Sequence, residues 1–211
     1  AICFLYYQQT EGFHRASSNV SITSSGHAAR CRDVATLHSI HDGYVCGAFE
    51  LNAQSVSHRK LVWKLQIVKA CRMRLGLTAD RHDVDTVLHV NGGHRYHTLS
   101  YLGLIQSHRR QQSVNVTDSY QTYRKGLFAD NYEVIITVDT QQSSIRFTVN
   151  NATGETVVDT EAERINLGDK YKLVVYMNDF ELLTYDYQTD GSVSPSSCKG
   201  SVLMLDFQML E

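Results

Sequence analysis

The amino-acid sequence predicts an all-β protein, built as an antiparallel β-sandwich or barrel. Apolar and polar residues alternate with a period of two in several runs, which is the pattern of strands with one buried face. These runs recur at intervals of about ten residues, with turn-forming residues between them. The 211 residues include a single proline, Pro195, and few long stretches with the helical period of about 3.6 residues.

The first fifty residues combine possible strands with polar stretches rich in Ser, His and Gly. The possible strands are residues 2–7, 19–22 and 44–51. Further along the chain, residues 80–97 and 105–125 are typical of long loops that hold short strands. We therefore expect strands in these segments, with less regular spacing than elsewhere.

The clearest alternation lies in residues 61–68 and is repeated in residues 71–78. The apolar positions of the first run are Leu61, Trp63, Leu65 and Ile67, and those of the second are Cys71, Met73, Leu75 and Leu77. Only Lys69 and Ala70 interrupt the pattern between them. We expect the two runs to form an antiparallel pair joined by a tight turn.

The second half of the chain repeats this pattern in shorter segments. Residues 133–139 are apolar and β-branched, which predicts a central strand with both faces covered. A turn at 141–144 leads to a strand at 145–149. Another turn at 150–154, rich in residues that tolerate positive φ, leads to a short strand at 156–159.

The last strands follow a turn at residues 167–169. Residues 171–177 and 180–187 are predicted to pair around a turn at Asn178 and Asp179. Residues 202–210 form the final predicted strand. The side chains expected on its buried face are Leu203, Leu205, Phe207 and Met209.

Composition and charge narrow the class of protein. The chain is 42% hydrophobic and 20% charged, a composition that excludes wholesale disorder. No linker or repeat divides the sequence, so we expect one domain over residues 1–211. Residues 1–125 carry 15 basic and 8 acidic groups, whereas residues 126–211 carry 5 and 14. Because the acidic half also alternates like a set of strands, we expect the halves to interleave in one sandwich.

No basic cluster is large enough to predict a nucleic acid as partner, and no apolar run approaches the roughly 18 residues of a membrane span.

Cysteine usage favours a reducing compartment. The five cysteines are Cys3, Cys31, Cys46, Cys71 and Cys198. They form no close pair and their number is odd, so we expect reduced thiols and a cytoplasmic location. Three glycosylation sequons, at Asn19, Asn115 and Asn151, would suit a secreted protein but also arise by chance in a chain rich in Ser and Thr. Because the chain begins at Ala1 without Met, we expect it to belong to a longer multidomain chain or assembly.

The order of these segments resembles a SPRY domain, a concanavalin-like β-sandwich of the jelly-roll type. The resemblance covers roughly residues 50–190, and the segments that carry it are 61–67, 74–80, 132–139, 145–151 and 170–187. The sequence departs from the family pattern in three places. Tyr132-Glu133 replaces a common Gly-Asp, Asn151 replaces a common Gly, and no Pro precedes Lys172.

The resemblance implies a non-catalytic module that binds a peptide or protein surface through loops at one end of the sandwich. In family members that grip extended peptides, the contacts come from a strand end, the loop after it and a late turn. Carried over to this sequence, the binding residues are Thr78, Asp80, Arg81, Gly93, His94, Tyr96, Tyr176, Met177 and Asn178. Met177 stands where the family usually has Trp, and core packing explains Tyr176 and Met177 equally well.

Catalytic and metal sites find little support in the sequence. His38 with His41, and His94 with His97, have the spacing of a zinc pair on a helix or turn, but two residues three apart on a strand point to opposite faces. We therefore expect no metal and no cofactor. The sequence contains no Gly-x-Ser-x-Gly elbow and no phosphate-binding Gly-rich loop, so we also expect no enzymatic activity.

Two other binding functions remain open at this point. A lectin-like sandwich would bind carbohydrate through exposed aromatic rings with amides and acids nearby. The chain has 12 tyrosines but a single Trp, on a face predicted to be buried. The other function is that of a fixed scaffold within a large assembly, and the sequence alone does not separate permanent docking from transient recognition.

Overall fold

The computed structural model describes residues 11–31, 43–53, 59–79, 96–107, 110–114, 126–162, 164–177 and 200–211. These residues form strands joined by turns, with no helix among them. The strands are β1 (Phe13–Ala16), β2 (Val20–Ile22), β3 (Ala28–Cys31), β4 (Tyr44–Gly47), β5 (Lys60–Lys69), β6 (Arg74–Thr78), β7 (Tyr96–Ser100), β8 (Leu104–Ser107), β9 (Arg110–Ser113), β10 (Glu133–Asp139), β11 (Ser144–Asn150), β12 (Thr156–Glu161), β13 (Lys172–Tyr176) and β14 (Ser201–Leu210). No helix within the described residues is long and apolar enough to cross a membrane.

The strands form two seven-stranded antiparallel sheets. Sheet A has the order β1-β4-β13-β6-β7-β8-β9, and sheet B has the order β12-β11-β10-β5-β14-β3-β2. Both sheets take strands from the basic first half and the acidic second half of the sequence, as their order shows. The structure thus confirms the predicted antiparallel sandwich.

The hydrophobic core lies between the sheets. Its largest side chains with no exposed surface include Trp63, Leu75, Phe147 and Tyr171. Strand β5 contributes every second side chain to this core. These side chains, all fully buried, are Leu61, Trp63, Leu65 and Ile67. The predicted buried face of this strand is therefore confirmed.

The predicted pairing of β5 with β6 is wrong. β5 lies in sheet B between β10 and β14, whereas β6 lies in sheet A between β13 and β7. Residues 70–73 carry the chain from one sheet to the other. Two apolar faces can meet across a sandwich as well as lie side by side in one sheet, and alternation is the same in both arrangements.

The predicted buried face of β14 is also wrong in its first half. A β-bulge between Met204 and Asp206 adds one residue to the strand. Before the bulge Val202 and Met204 face the core, and after it Phe207 packs against the core, while Leu205 is 45% exposed. Because the extra residue shifts the parity of the strand, a single alternation could not describe both halves.

Strand β10 differs from its prediction on one face. It lies inside sheet B, and Val134, Ile136 and Val138 on its inner face are fully buried. On its outer face Ile135 and Thr137 are only partly buried, because this face carries no second layer among the described residues. β9 lies in the second predicted loop region, β8 begins one residue before that region, and β7 begins at the end of the first predicted loop region. The predicted strands at residues 2–7 and 180–187 lie outside the described residues.

Candidate functional site

Sheet A has a second face, turned away from the core, that gathers several of the predicted binding residues. The strand register pairs Thr78 with both Tyr96 and Lys172, and pairs Arg74 with both Ser100 and Tyr176. We call this set the outer face of sheet A. Its members in the described strands are Tyr44, Cys46, Arg74, Gly76, Thr78, Tyr96, Thr98, Ser100, Lys172, Val174 and Tyr176.

One end of the outer face of sheet A is closed to solvent. Tyr44, Cys46, Val174 and Tyr176 form a hydrophobic cluster separate from the main core. Beside them the Arg74 side chain is only 3% exposed. Groups this deeply buried hold the sheet together and have no free surface to offer a partner.

The opposite end of the outer face of sheet A is more open. Lys172 and Tyr96 are partly exposed there, on either side of the buried Thr78. We call the surface around these three residues the Lys172 end. The long cation on one side of Thr78 and the aromatic ring on the other give this surface both charge and apolar area.

A short segment after β4 borders the Lys172 end. Leu51 and Tyr171 exchange two backbone hydrogen bonds, of 2.8 and 2.7 Å, as an antiparallel bridge. This bridge places Glu50 across from Lys172. The Glu50 Oε1 accepts a hydrogen bond of 3.1 Å from Asn52 Nδ2 and lies 3.9 Å from the Lys170 ammonium. The border of the Lys172 end therefore carries charges of both signs.

The structure separates the binding residues that the sequence predicted. Thr78 and Tyr96 lie at the Lys172 end, whereas Tyr176 is buried at the closed end. Met177 is 1% exposed and packs in the main core. Asp80, Arg81, Gly93, His94 and Asn178 lie outside the described residues.

Antiparallel pairing is the reason for this separation. β6 ends at Thr78 and β13 ends at Tyr176. Because these neighbouring strands run in opposite directions, the two residues lie at opposite ends of the sheet face. The sequence pattern did not indicate this separation, because it did not reveal that β6 and β13 are neighbours. Lys172 and Glu50 were not among the predicted binding residues. Lys172 joins Thr78 through the pairing of β13 with β6, and Glu50 joins them through the bridge between Leu51 and Tyr171. Lys172 could have been found from its parity, since it lies four residues before Tyr176 on the same strand face.

Gly76 explains why β6 and β7 can lie so close in the middle of this face. A Cβ atom at this position would collide with the backbone carbonyl oxygen of His97 and lie 2.7 Å from Thr98 Cα. The glycine of the sequence Leu75-Gly76-Leu77 therefore has a steric cause. Only glycine leaves room for the neighbouring backbone.

His97, one of the histidines weighed as a zinc ligand, faces the core. Its side chain has no exposed surface, and its Nδ1 lies 2.9 Å from Ser107 Oγ. Its ring also contacts the ring of Tyr171, with centroids 5.8 Å apart. His38, His41 and His94 lie outside the described residues. In the part of the chain that the structure describes, no three His, Cys, Asp or Glu side chains come together as a metal site.

Charged side chains on the outer face of sheet B bind one another or the neighbouring backbone. Arg146 donates hydrogen bonds of 3.0 Å to Asp159 and 3.2 Å to Glu161 on the neighbouring strand. The hydrogen bond and charge of Asp159 raise the pKa of Arg146 above its ordinary value. The Asp139 carboxylate accepts hydrogen bonds from the Gln141 and Gln142 backbone N–H groups, both 3.0 Å, and so holds a turn. These contacts give the acidic side chains structural roles.

Comparison with known proteins gives matches in structure but not in sequence. No protein-family model matches the chain, and no curated protein is a significant match. The SPRY domain of human HERC1 matches with a TM-score of 0.53 and 16% identity, over 94% of this chain and 99% of that chain. The PSpry domain of TRIM65 matches with a TM-score of 0.58 and 8% identity, over 94% of this chain and 93% of that chain.

A larger protein also contains a similar unit. The stonustoxin structure matches with a TM-score of 0.57 and 11% identity, over 92% of this chain. This chain spans 27% of that chain. Together these structures show that the protein has the SPRY-like fold that its sequence resembled.

Proposed function

We propose that this chain is a non-catalytic binding module that recognises a peptide or a protein surface. The SPRY-like fold, shared with two SPRY domains over 94% of the chain, is the observation that carries the proposal. Domains of this class bind other proteins through loops, and a rigid pair of sheets holds those loops in fixed positions. The carboxylates in sheet B already have structural partners, which leaves binding as the activity that the geometry supports best.

The binding surface in this proposal is the Lys172 end. It combines a partly exposed tyrosine, Tyr96, with the ammonium group of Lys172 and the carboxylate of Glu50 nearby. Tyrosine is enriched at protein interfaces because its ring buries a large area at a small entropic cost. The predicted binding residues Asp80, Arg81, Gly93 and His94 lie in the chain between Thr78 and Tyr96. They remain part of the proposed site.

Charge reversal at the Lys172 end tests this proposal. We would compare the proteins captured from a cell lysate by the wild-type domain and by the variant Lys172→Glu. The matched control is Lys64→Glu, because Lys64 is also partly buried but lies on the outer face of sheet B, on the other side of the molecule. Circular dichroism would establish that both variants are folded.

The proposal predicts a protein that binds the wild type and Lys64→Glu but is lost from Lys172→Glu. Equal capture by all three would place the binding surface elsewhere. Capture released by free sugar would instead indicate a lectin.

We also propose a reducing, cytoplasmic setting. The five cysteines of the sequence are odd in number and form no close pair, and Cys31, Cys46 and Cys71 are buried. Alkylation of the denatured protein, isolated without reductant, should modify all five cysteines of the sequence. Fewer modified thiols would indicate a disulfide and argue for an oxidising compartment.

A further inference from the structure

A carboxylate is buried at the start of the described sandwich. The Glu11 side chain, two residues before β1, is only 5% exposed. Its Oε1 accepts hydrogen bonds from the backbone N–H groups of Gly12, Ala48 and Phe49, at 2.9, 2.8 and 3.0 Å. Its Oε2 accepts a hydrogen bond of 3.0 Å from the indole Nε1 of Trp63. Four N–H groups thus converge on one carboxylate: one from the residue next to Glu11, two from consecutive residues after β4 and one from β5.

We call these four donors, with Gly47 beside them, the carboxylate cradle. A Cβ atom at Gly47 would lie 3.0 Å from both carboxylate oxygens, so a side chain there would crowd the site. The indole of Trp63 is held in turn by the rings of Phe49 and Phe207, whose centroids lie 6.1 and 5.0 Å from it. Three of the four donors, those of Ala48, Phe49 and Trp63, therefore belong to parts of the sandwich other than the Glu11 segment.

N–H groups are the partners of the Glu11 carboxylate among the described residues. Among the described residues, no Lys, Arg or His forms an ion pair with Glu11. Burying an anion is costly unless hydrogen bonds replace its water, and charge-assisted bonds from N–H groups do so. Several backbone N–H groups pointing to one place form an anion-binding site in other proteins as well.

We propose that the carboxylate cradle is a binding site for a carboxylate, occupied in this protein by its own residue 11. The segment that carries Glu11 is then held like a peptide ligand, by an acidic side chain that enters a preformed site. Without that side chain, the cradle takes a small carboxylate from solution.

Chemical rescue tests this proposal. Glu11→Ala removes the carboxylate and one methylene, which together have the size and charge of an acetate ion. The unfolding equilibrium of this variant would be followed in an acetate titration by the fluorescence of Trp63, the single Trp of the chain. Above the Kd for acetate, each tenfold increase in its concentration should raise the folded-to-unfolded ratio about tenfold.

Two solutes and two proteins serve as controls. Acetamide has the shape of acetate without its charge, and sodium chloride matches its ionic strength. Neither should rescue Glu11→Ala. The wild type, whose cradle is full, and Glu11→Gln, whose amide fills the space, should not respond to acetate beyond their response to sodium chloride.

Glu11→Gln also keeps the test valid if Glu11→Ala does not fold in buffer. In that case acetate should restore the folded state of Glu11→Ala. The proposal is overturned if Glu11→Ala stays unfolded at every acetate concentration while Glu11→Gln folds. Equal stabilisation by acetate and acetamide, or of all three proteins by acetate, would also overturn it.

Discussion

Trp63 shows how one residue joins the sequence pattern to the three-dimensional structure. Its place in an alternating run predicted a buried side chain, and it has no exposed surface. The alternation did not reveal the partner of its indole N–H, because Glu11 lies 52 residues away in the sequence. A single acidic residue outside an alternating run carries no signal that it will be buried.

Replacing Trp63 with alanine should destabilise the protein by about 3 to 5 kcal/mol. The change opens a cavity in the core, as for other large buried aromatic residues. It also leaves one oxygen of the buried Glu11 carboxylate without its donor. Urea unfolding would measure the loss, and a value below about 1 kcal/mol would contradict the assigned position of Trp63 in the core.

Asp130 should make the stability depend on pH in the acid range. Its carboxylate accepts a hydrogen bond of 2.7 Å from the backbone N–H of Ala70 and pairs with Lys69 at 3.0 Å. The backbone hydrogen bond, followed by the contact with Lys69, holds the pKa of Asp130 below its ordinary value. A carboxyl group with a lowered pKa stabilises the fold above its unfolded pKa of about 3.9. That contribution is lost as the pH falls through the folded pKa.

The variant Asp130→Asn isolates this effect. At neutral pH it should be less stable than the wild type by less than about 1 kcal/mol, because solvent screens an exposed pair. Urea unfolding at pH values from 7 down to about 3 should show the difference shrinking with the pH. A difference that stays constant over this range would exclude titration of Asp130 as its cause.

At the scale of the element, the sequence predicted strands better than it predicted their neighbours. The alternation in β5 and β6 is strong in both, yet it does not indicate that they lie in different sheets. The bulge in β14 shows a second limit. One extra residue exchanges the inner and outer faces, and neither Met204 nor Asp206 is a residue type that marks a bulge.

Gly76 should be the least replaceable glycine among the described strands that form the outer face of sheet A. Gly76→Ala places a methyl group against the backbone of β7, which cannot move without breaking the pairing with β6. We expect a loss well above the roughly 1 kcal/mol of an average point mutation. Urea unfolding would measure this loss.

Gly154→Ala is the matched control for Gly76→Ala. Gly154 has a φ of 86° and no atom within 4 Å of an added Cβ. An alanine at this position would therefore meet no neighbouring atom and would be strained only in its backbone conformation. We expect this variant to lose about 1 to 2 kcal/mol. A smaller loss for Gly76→Ala than for Gly154→Ala would show that the two strands are not in such close contact.

At the scale of the whole molecule, the core draws on both sheets, and we propose that residues 1–211 unfold as one domain. Leu75 of sheet A and Ile136 of sheet B belong to the same hydrophobic cluster, and both are fully buried. Each replacement by alanine should lower stability by about 2 to 5 kcal/mol. Both variants should unfold in one transition that coincides by fluorescence and circular dichroism. Two separate transitions in either variant would show that the sheets unfold independently.

The sequence by itself determined the fold class, most strands of the second half and the buried face of β5. These properties follow from alternation, which is local because each side chain points away from its neighbour in the chain. Only the tertiary structure decided which strands are neighbours, and so which predicted binding residues share an end of sheet A. It also brought Glu11 to Trp63. Strand pairing and buried polar contacts join residues far apart in the chain, so no single segment encodes them.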